Sequence, residues 1–149
     1  MKVSSLQKFA LFAQGLGPGR ILLSAYYKLA SLGFVNCFGR NPAVKAIYAV
    51  GAREELLFGA SDIDFLVVIR PLHATDEMQF LHHFWGRYRR LRKLFPVLGE
   101  VWLVEEHEAE SWRLRNPGNI TLQTPRHLHG EDCLPPLAPM SARQKFSAA

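Results

Sequence analysis

The chain has 149 residues with a formal net charge of +5, and 48% of them are hydrophobic and 21% charged. This length suits one domain with a sizeable core and is too short for two. The two cysteines, Cys37 and Cys133, lack the spacing of a zinc ribbon, so a reducing, cytoplasmic location is expected. No apolar run is expected to span a bilayer and no secretory signal is recognised, so no membrane partner is predicted. The basic balance fits either an anionic partner or a solubilising excess of charge.

The first part of the chain, residues 1–40, is predicted to be a helical arm. Helical spacing covers residues 4–14, a glycine-rich turn covers 15–19, and a second helix runs from about Arg20 to Leu32. The predicted buried stripe of the second helix consists of Ile21, Leu22, Ala25, Leu29 and Leu32. This arm either packs against the core or forms a dimerisation surface, and the sequence does not choose between them.

Residues 41–130 are predicted to form the main domain. After a loop over residues 33–42, apolar runs predict strands at 44–50, 62–69 and 97–104. A helix is predicted from an N-cap at Thr75 to Phe95, because Asp76 and Glu77 suit its first turn. The stripe expected to be buried on this helix is Met78, Leu81, Trp85, Tyr88, Leu91 and Phe95. Short edge strands are expected at 120–122 and 126–130, followed by a loose tail over 131–149.

Two aspartates separated by one isoleucine open the second predicted strand. Because successive side chains of a strand alternate in direction, Asp62 and Asp64 should project to one side, and Ile63 and Phe65 to the other. Two carboxylates held this close repel each other unless a cation lies between them. At a strand end they form a hard-oxygen site that suits magnesium carrying the phosphates of a nucleotide.

The segment Gly51-Ala52, nine residues, then Asp62-Ile63-Asp64 opening an apolar strand, resembles the signature of the nucleotidyltransferase superfamily. The small bacterial members read Ser-Asp-Ile-Asp before such a strand, as residues 61–64 do here. The resemblance implies an α+β fold, the DNA polymerase beta-like palm, with helices packed on a small mixed sheet. It departs from the pattern at Ala52, where the family has a serine whose hydroxyl would contact a terminal phosphate.

The resemblance also implies a site and a reaction. The metal ligands and catalytic residues would be Asp62, Asp64 and Glu100, and the nucleotide-binding residues Gly51, Ala52, Arg53 and Ser61. Glu105 competes with Glu100 for the role of third carboxylate. The expected activity is magnesium-dependent transfer of a nucleoside monophosphate from an NTP, with ATP as the first candidate, to an unidentified acceptor. Two magnesium ions are expected, as is a homodimer or a helical partner protein.

Two other functional classes compete with this reading. One is a catalytically degenerate module, antitoxin-like, that binds a nucleotide or polyanion without turnover. The other is a glycosyltransferase, in which Asp-x-Asp grips a sugar nucleotide, although that fold needs a longer chain. The basic residues from Arg87 to Lys93 fit either a solvated helix end or a contact with nucleic acid.

Overall fold

The computed structural model describes residues 17–50, 62–109, 111 and 125–134. In chain order its elements are helix α1 (Gly17–Phe38), strands β1 (Val44–Val50) and β2 (Ile63–Ile69), helix α2 (Ala74–Leu94), strand β3 (Leu98–Glu105), a short 3-10 turn (Glu106–Glu108) and strand β4 (Arg126–Gly130). The strands form one mixed sheet in the order β3-β2-β1-β4. The fold is therefore α+β with helices beside a small mixed sheet, as expected from the sequence.

The two central strands are buried on both faces, which explains their nearly continuous apolar sequences. β1 runs antiparallel to β2, with Val44 opposite Ile69 and Val50 opposite Asp64. β3 runs parallel to β2, while β4 pairs antiparallel with the other edge of β1. The predicted bounds of β1 and β4 are confirmed, β2 begins one residue later than predicted, and β3 is shifted by one residue at both ends.

Both helices contribute aromatic side chains to the larger core, which lies on one face of the sheet. The rings of Phe34 in α1 and Phe65 in β2 stack with centroids 3.8 Å apart. The rings of Phe38 and Phe84 join α1 to α2 at 4.3 Å. Aromatic contacts of this kind add stability beyond the apolar area they bury.

The prediction for α1 is wrong in its bounds and in its buried face. The helix includes residues 17–19, predicted as turn, and continues through residues 33–38, predicted as loop. Four residues of the predicted stripe are among the exposed large hydrophobics, with Ile21 72% exposed and Leu32 59% exposed. The fifth, Ala25, is also exposed. The buried face is instead Tyr27, Ala30, Phe34 and Phe38. Aromatic residues bury more apolar area than aliphatic ones, so the aromatic stripe faces the sheet.

Gly33 shows why the helix passes through a position at which the sequence predicts its end. A Cβ at this position would lie 3.2 Å from the Phe95 ring, so glycine permits close packing of the ring against α1. Gly33 therefore has a packing role within the helix and does not end it.

Helix α2 also differs from its predicted form in its cap and stripe. It begins at Ala74 with His73 as the N-cap and no side-chain capping hydrogen bond, so Thr75 is not the cap. The buried residues are Phe80, Phe84 and Tyr88, while Met78 and Trp85 are exposed. The rest of the predicted stripe is on the core side: Tyr88 is buried, and Leu81, Leu91 and Phe95 pack partly buried against the larger core.

The second face of the sheet carries a smaller core, closed by the chain after β4. Leu134 is buried there against the side chains of β1 and β2. The Tyr48 hydroxyl donates to Asp132 Oδ1 at 2.9 Å and accepts the Cys133 N–H at 2.8 Å. The first four residues of the segment expected to be a loose tail, 131–134, are therefore held against the sheet; residues 135–149 lie outside the described residues.

One apolar segment within α1, Ile21–Phe38, has the length and composition of a membrane span, contrary to the sequence expectation. The same segment carries Ala30, Phe34 and Phe38, which are buried in the larger core. A core helix of a soluble protein meets the same criterion, and the packing of these side chains on the sheet accounts for part of the apolar composition. The aliphatic residues on the other side of the helix are exposed, and 28% of the segment is buried.

Candidate metal and nucleotide site

The two aspartates lie together at the start of β2, as the alternation of side chains predicts. Ile63 and Phe65 are buried in the larger core, whereas Asp62 is exposed and Asp64 is half-buried. A Cβ built on Gly99 of β3 would lie 2.7 Å from Asp62 Cβ and would overlap Asp64 Oδ1. Both aspartates therefore approach the same residue of the neighbouring strand.

A register shift in the β2–β3 pair creates this approach. Ile63 lies opposite Leu98 and Phe65 opposite Val101, so two residues of β3, Gly99 and Glu100, face Asp64 alone. A bulge of this kind leaves a backbone group without a partner in the strand ladder. The Glu100 N–H uses that freedom to donate a hydrogen bond to Asp64 Oδ1 at 2.7 Å.

Tyr88 of α2 fixes the same point of β3 from the helix side. Its hydroxyl donates a hydrogen bond to the Gly99 carbonyl. Burial raises the pKa of Tyr88, nearby Arg92 lowers it, and the charges of Asp64 and Asp62 raise it. The phenol therefore remains a neutral donor, and it lies within electrostatic reach of both aspartates.

Asp64 lies in an environment that disfavours its charge. Burial raises its pKa, the hydrogen bond from the Glu100 N–H lowers it, and the charges of Glu100 and Asp62 raise it further. The net effect is upward. Three acids gathered in this way repel one another, and a bound cation would relieve that repulsion.

These residues line an open cleft of about 610 Å³. Its walls are Asp62, Asp64, Trp85, Tyr88, Arg92, Gly99, Glu100, Val101 and Trp102. The cleft combines acids with one arginine and two tryptophans. A ligand of this size that carries both anionic and aromatic parts matches such a lining.

Glu100, and not Glu105, is the acid of β3 that lies beside the aspartates. Glu105 is paired with Ile69 at the far end of β2, about 16 Å along the strand from Asp64. Its carboxylate instead lies 3.2 Å from His107 Nδ1. The contact that Glu100 makes with Asp64 is through its backbone N–H, while its side chain is exposed. Within residues 17–50, 62–109, 111 and 125–134, no three His, Cys, Asp or Glu side chains are grouped so as to hold a metal ion.

The nucleotide-binding residues implied by the resemblance, Gly51, Ala52, Arg53 and Ser61, lie outside the described residues. The chain enters that segment from Val50, which is paired with Asp64 in the β1–β2 register. The described strand therefore ends directly beside the aspartates, at the point where the glycine turn is predicted.

The sequence reading missed Arg92, Trp85, Gly99 and Trp102 as parts of the cleft. The order β2–α2–β3 along the chain could have placed the two helix residues, Trp85 and Arg92, near the aspartates. A helix between two parallel strands runs antiparallel to them, so its last turns return to the level where both strands begin. Trp85 and Arg92 in those turns are thereby carried to the start of β2, where the aspartates lie.

Comparisons with protein-family models, curated proteins and solved structures find no match for this chain.

Proposed function

We propose that the chain is a magnesium-dependent nucleotidyltransferase with a polymerase beta-like palm, which transfers a nucleoside monophosphate from an NTP, with ATP as the first candidate. The observation that carries the proposal is the pair Asp62 and Asp64, projecting to one side at the mouth of a buried strand and held against β3. The spacing to the preceding Gly51-Ala52 adds to it.

The residues present fit a divalent cation. Carboxylate oxygens are the ligands that magnesium prefers. Burial is the main cause of the raised pKa of Asp64, and the charges of Glu100 and Asp62 raise it further, so three carboxylates interact at this point. Asp62 and Asp64 would hold the ion, with Glu100 as the third acid of the set. Bound magnesium supplies neutralisation of the phosphate charge that develops in the transition state.

The reaction that this cleft would support is in-line transfer. An acceptor hydroxyl oxygen forms a bond to the α-phosphorus and loses its proton to solvent. The bond from that phosphorus to the bridging oxygen breaks, and pyrophosphate leaves with the electron pair. Arg92 lies in the cleft and offers a fixed positive charge to the phosphates. Tyr88 and the Glu100 N–H hold β3 and Asp64 in position. Gly51, Ala52, Arg53 and Ser61 are proposed to contact the terminal phosphates.

The proposal is tested by titrating the protein with ATP in magnesium and by measuring pyrophosphate release with hydroxyl-bearing acceptors. Asp62→Asn and Asp64→Asn should each abolish magnesium-dependent ATP binding. Asp76→Asn is the matched control, because Asp76 is an exposed carboxylate in the first turn of α2, at the opposite end of the helix. Wild-type ATP affinity in both cleft variants would refute the proposal.

A second candidate function is a nucleotide-binding module without turnover, antitoxin-like in its dependence on a helical partner protein. Two observations favour it: Ala52 stands where the related family has serine, and the described residues do not gather three metal-binding side chains. This candidate predicts the same loss of ATP binding in Asp64→Asn but no pyrophosphate release from the wild-type protein with any acceptor.

A further inference from the structure

The last two turns of α2 carry five exposed cations, Arg87, Arg89, Arg90, Arg92 and Lys93. The acids of this helix, Asp76 and Glu77, lie in its first turn, at the other end. Where the structure describes the chain, the ion pairs involve Lys45 and His107, and none involves these five side chains. None of the five cations is therefore held in an ion pair within the described residues, although Arg92 lines the cleft that contains Asp62, Asp64 and Glu100.

The helix dipole explains only part of this cluster. The dipole favours cations in the last turn, which holds Arg92 and Lys93. Arg89 lies three and four residues before them, and like charges at these spacings destabilise a helix. Arg90 and Lys93 are also three residues apart and repel each other in the same way. This repulsion lowers the stability of the helix in the free protein, and a partner of opposite charge would relieve it. The cluster therefore indicates such a partner.

The cations form a continuous band around the exposed side of α2. At 100° per residue, Arg92, Arg89, Lys93, Arg90 and Arg87 follow one another around the helix. Arg92 is at one edge, in the acidic cleft, and Arg87 is at the other, in a cavity beside Phe38 of α1. The band spans about 9 Å along the helix axis, so it leads from the surface directly into the cleft.

Aromatic side chains lie where the band meets the cleft. Trp85 is 37% exposed and precedes Arg92 by seven residues, which places both on the same side of the helix. Trp102 of β3 also lines the cleft. Positive charge that follows a backbone, combined with aromatic faces, is how proteins bind single-stranded nucleic acid without sequence readout.

We propose that the acceptor is a single-stranded nucleic acid whose phosphate backbone lies on the basic band and whose terminal hydroxyl enters the cleft. This inference rests on the proposed nucleotidyltransferase function and names its substrate class. An anionic bilayer is the other surface that a basic helix can meet. It is disfavoured because Arg92 lies within a concave cleft beside carboxylates, where a flat surface does not reach.

Binding is tested by fluorescence anisotropy with labelled oligo-U and oligo-dT at several salt concentrations. The charge reversal Arg90→Glu/Lys93→Glu should weaken binding about tenfold or more and lower the salt slope by about 0.7 for each cation removed. The matched control is Lys28→Glu/Arg40→Glu, which changes the net charge equally at exposed sites outside α2. The control should change affinity less than about twofold. Equal losses in both variants, or no binding by the wild-type protein, would overturn the inference.

Transfer is tested by incubating oligonucleotides with magnesium and ATP labelled at the α-phosphate. Label should enter an oligonucleotide that has free terminal hydroxyls, and blocking the acceptor terminus should prevent it. Failure of this inference and failure of the proposed function give different results. If Arg90→Glu/Lys93→Glu retains full transfer to oligonucleotides, or if anionic vesicles bind through these residues while oligonucleotides do not, the inference is wrong although ATP binding persists. If ATP binding is absent or unaffected by Asp64→Asn, the proposed function itself is wrong.

Discussion

At one end of the central sheet the charged side chains form ion pairs with one another, whereas at the other end acids lie side by side. At the end where β1 begins, the Lys45 ammonium pairs with Glu106 and lies 3.5 Å from Glu131 Oε2. Its pKa is raised, chiefly by the hydrogen bond to Glu106, with a smaller opposing effect of desolvation. At the other end, Asp62 and Asp64 lie beside Glu100, and the pKa of Asp64 is raised chiefly by burial and further by the charges of these neighbouring acids.

This difference separates a structural charge cluster from a candidate site. Lys45 and its acids satisfy one another, so the fold needs nothing from outside. The acids at the start of β2 receive a backbone N–H but no ion pair among the described residues. Charge that a fold gathers and leaves uncompensated is typical of sites that bind a ligand of opposite sign.

The largest effect is expected from Gly99→Ala. The new Cβ would overlap Asp64 Oδ1 and press on Asp62, so the strand or the aspartates must shift. We expect a loss of about 1–3 kcal/mol in the free energy of unfolding, measured by urea denaturation, together with loss of magnesium-dependent ATP binding.

The control for this substitution is Gly86→Ala on α2, where a new Cβ meets nothing within 4 Å. Alanine should stabilise that helix position by about 0.5–1 kcal/mol and leave ATP binding unchanged. Equal stability changes in the two variants would contradict the close approach of β3 to the aspartates.

The next effect is expected from Tyr88→Phe, compared with Tyr48→Phe. Each substitution removes a hydroxyl that is hydrogen-bonded inside the fold, and each should cost about 1–2 kcal/mol. Only Tyr88→Phe releases Gly99 and the cleft wall, so only that variant should weaken ATP binding in calorimetric titrations. If Tyr48→Phe weakened binding equally, the loss in Tyr88→Phe would not be specific to the contact between Tyr88 and Gly99.

Asp64→Asn should stabilise the metal-free protein at neutral pH. The raised pKa means that folding disfavours the charged carboxylate, so stability present at low pH is lost as the pH rises through the folded-state pKa. Asparagine keeps an oxygen for the Glu100 N–H and carries no charge. The gain should be below about 1 kcal/mol because the site is partly solvated, and it should vanish at acid pH. Thermal melts between acid and neutral pH measure it, and a melting temperature lowered at neutral pH would contradict the repulsion.

The smallest effect is expected from Lys45→Met. This substitution should lower the stability, whereas Asp64→Asn should raise it. Removing the ammonium leaves Glu106 and Glu131 unpaired, so the melting temperature should fall slightly. High salt should reduce the difference from wild type, because the ion pair is near the surface. A rise in the melting temperature of Lys45→Met would show that Lys45 does not stabilise the fold by pairing with Glu106 and Glu131.

The strands and the aspartate pair could be predicted from sequence because their signals are local. The apolar runs are punctuated by Gly51 and Pro71, and alternation places Asp62 and Asp64 on one side without knowledge of neighbouring strands. The buried face of α1 could not be predicted in this way. Its aliphatic and aromatic residues form two stripes, and only packing against Phe65 and Phe84 decides which one is buried.

The cleft depends on contacts between distant parts of the chain. The bulge that places Glu100 N–H on Asp64 arises from pairing between strands that are separated by a whole helix. Periodicity predicts Tyr88 on the buried side of its helix, and the structure confirms it, but the hydrogen bond to Gly99 depends on where along β3 the helix α2 packs. The periodicity of a single segment reports neither the register between β2 and β3 nor the position of α2 along β3.

The most direct test of the central claim is a crystal structure of the protein grown with manganese and a non-hydrolysable ATP analogue, using the anomalous signal of the metal. The account predicts an anomalous peak about 2.0–2.3 Å from carboxylate oxygens of both Asp62 and Asp64, with the analogue's phosphates on the same ion. A nucleotide bound elsewhere, or aspartates that bind no ion at saturating manganese, would contradict it.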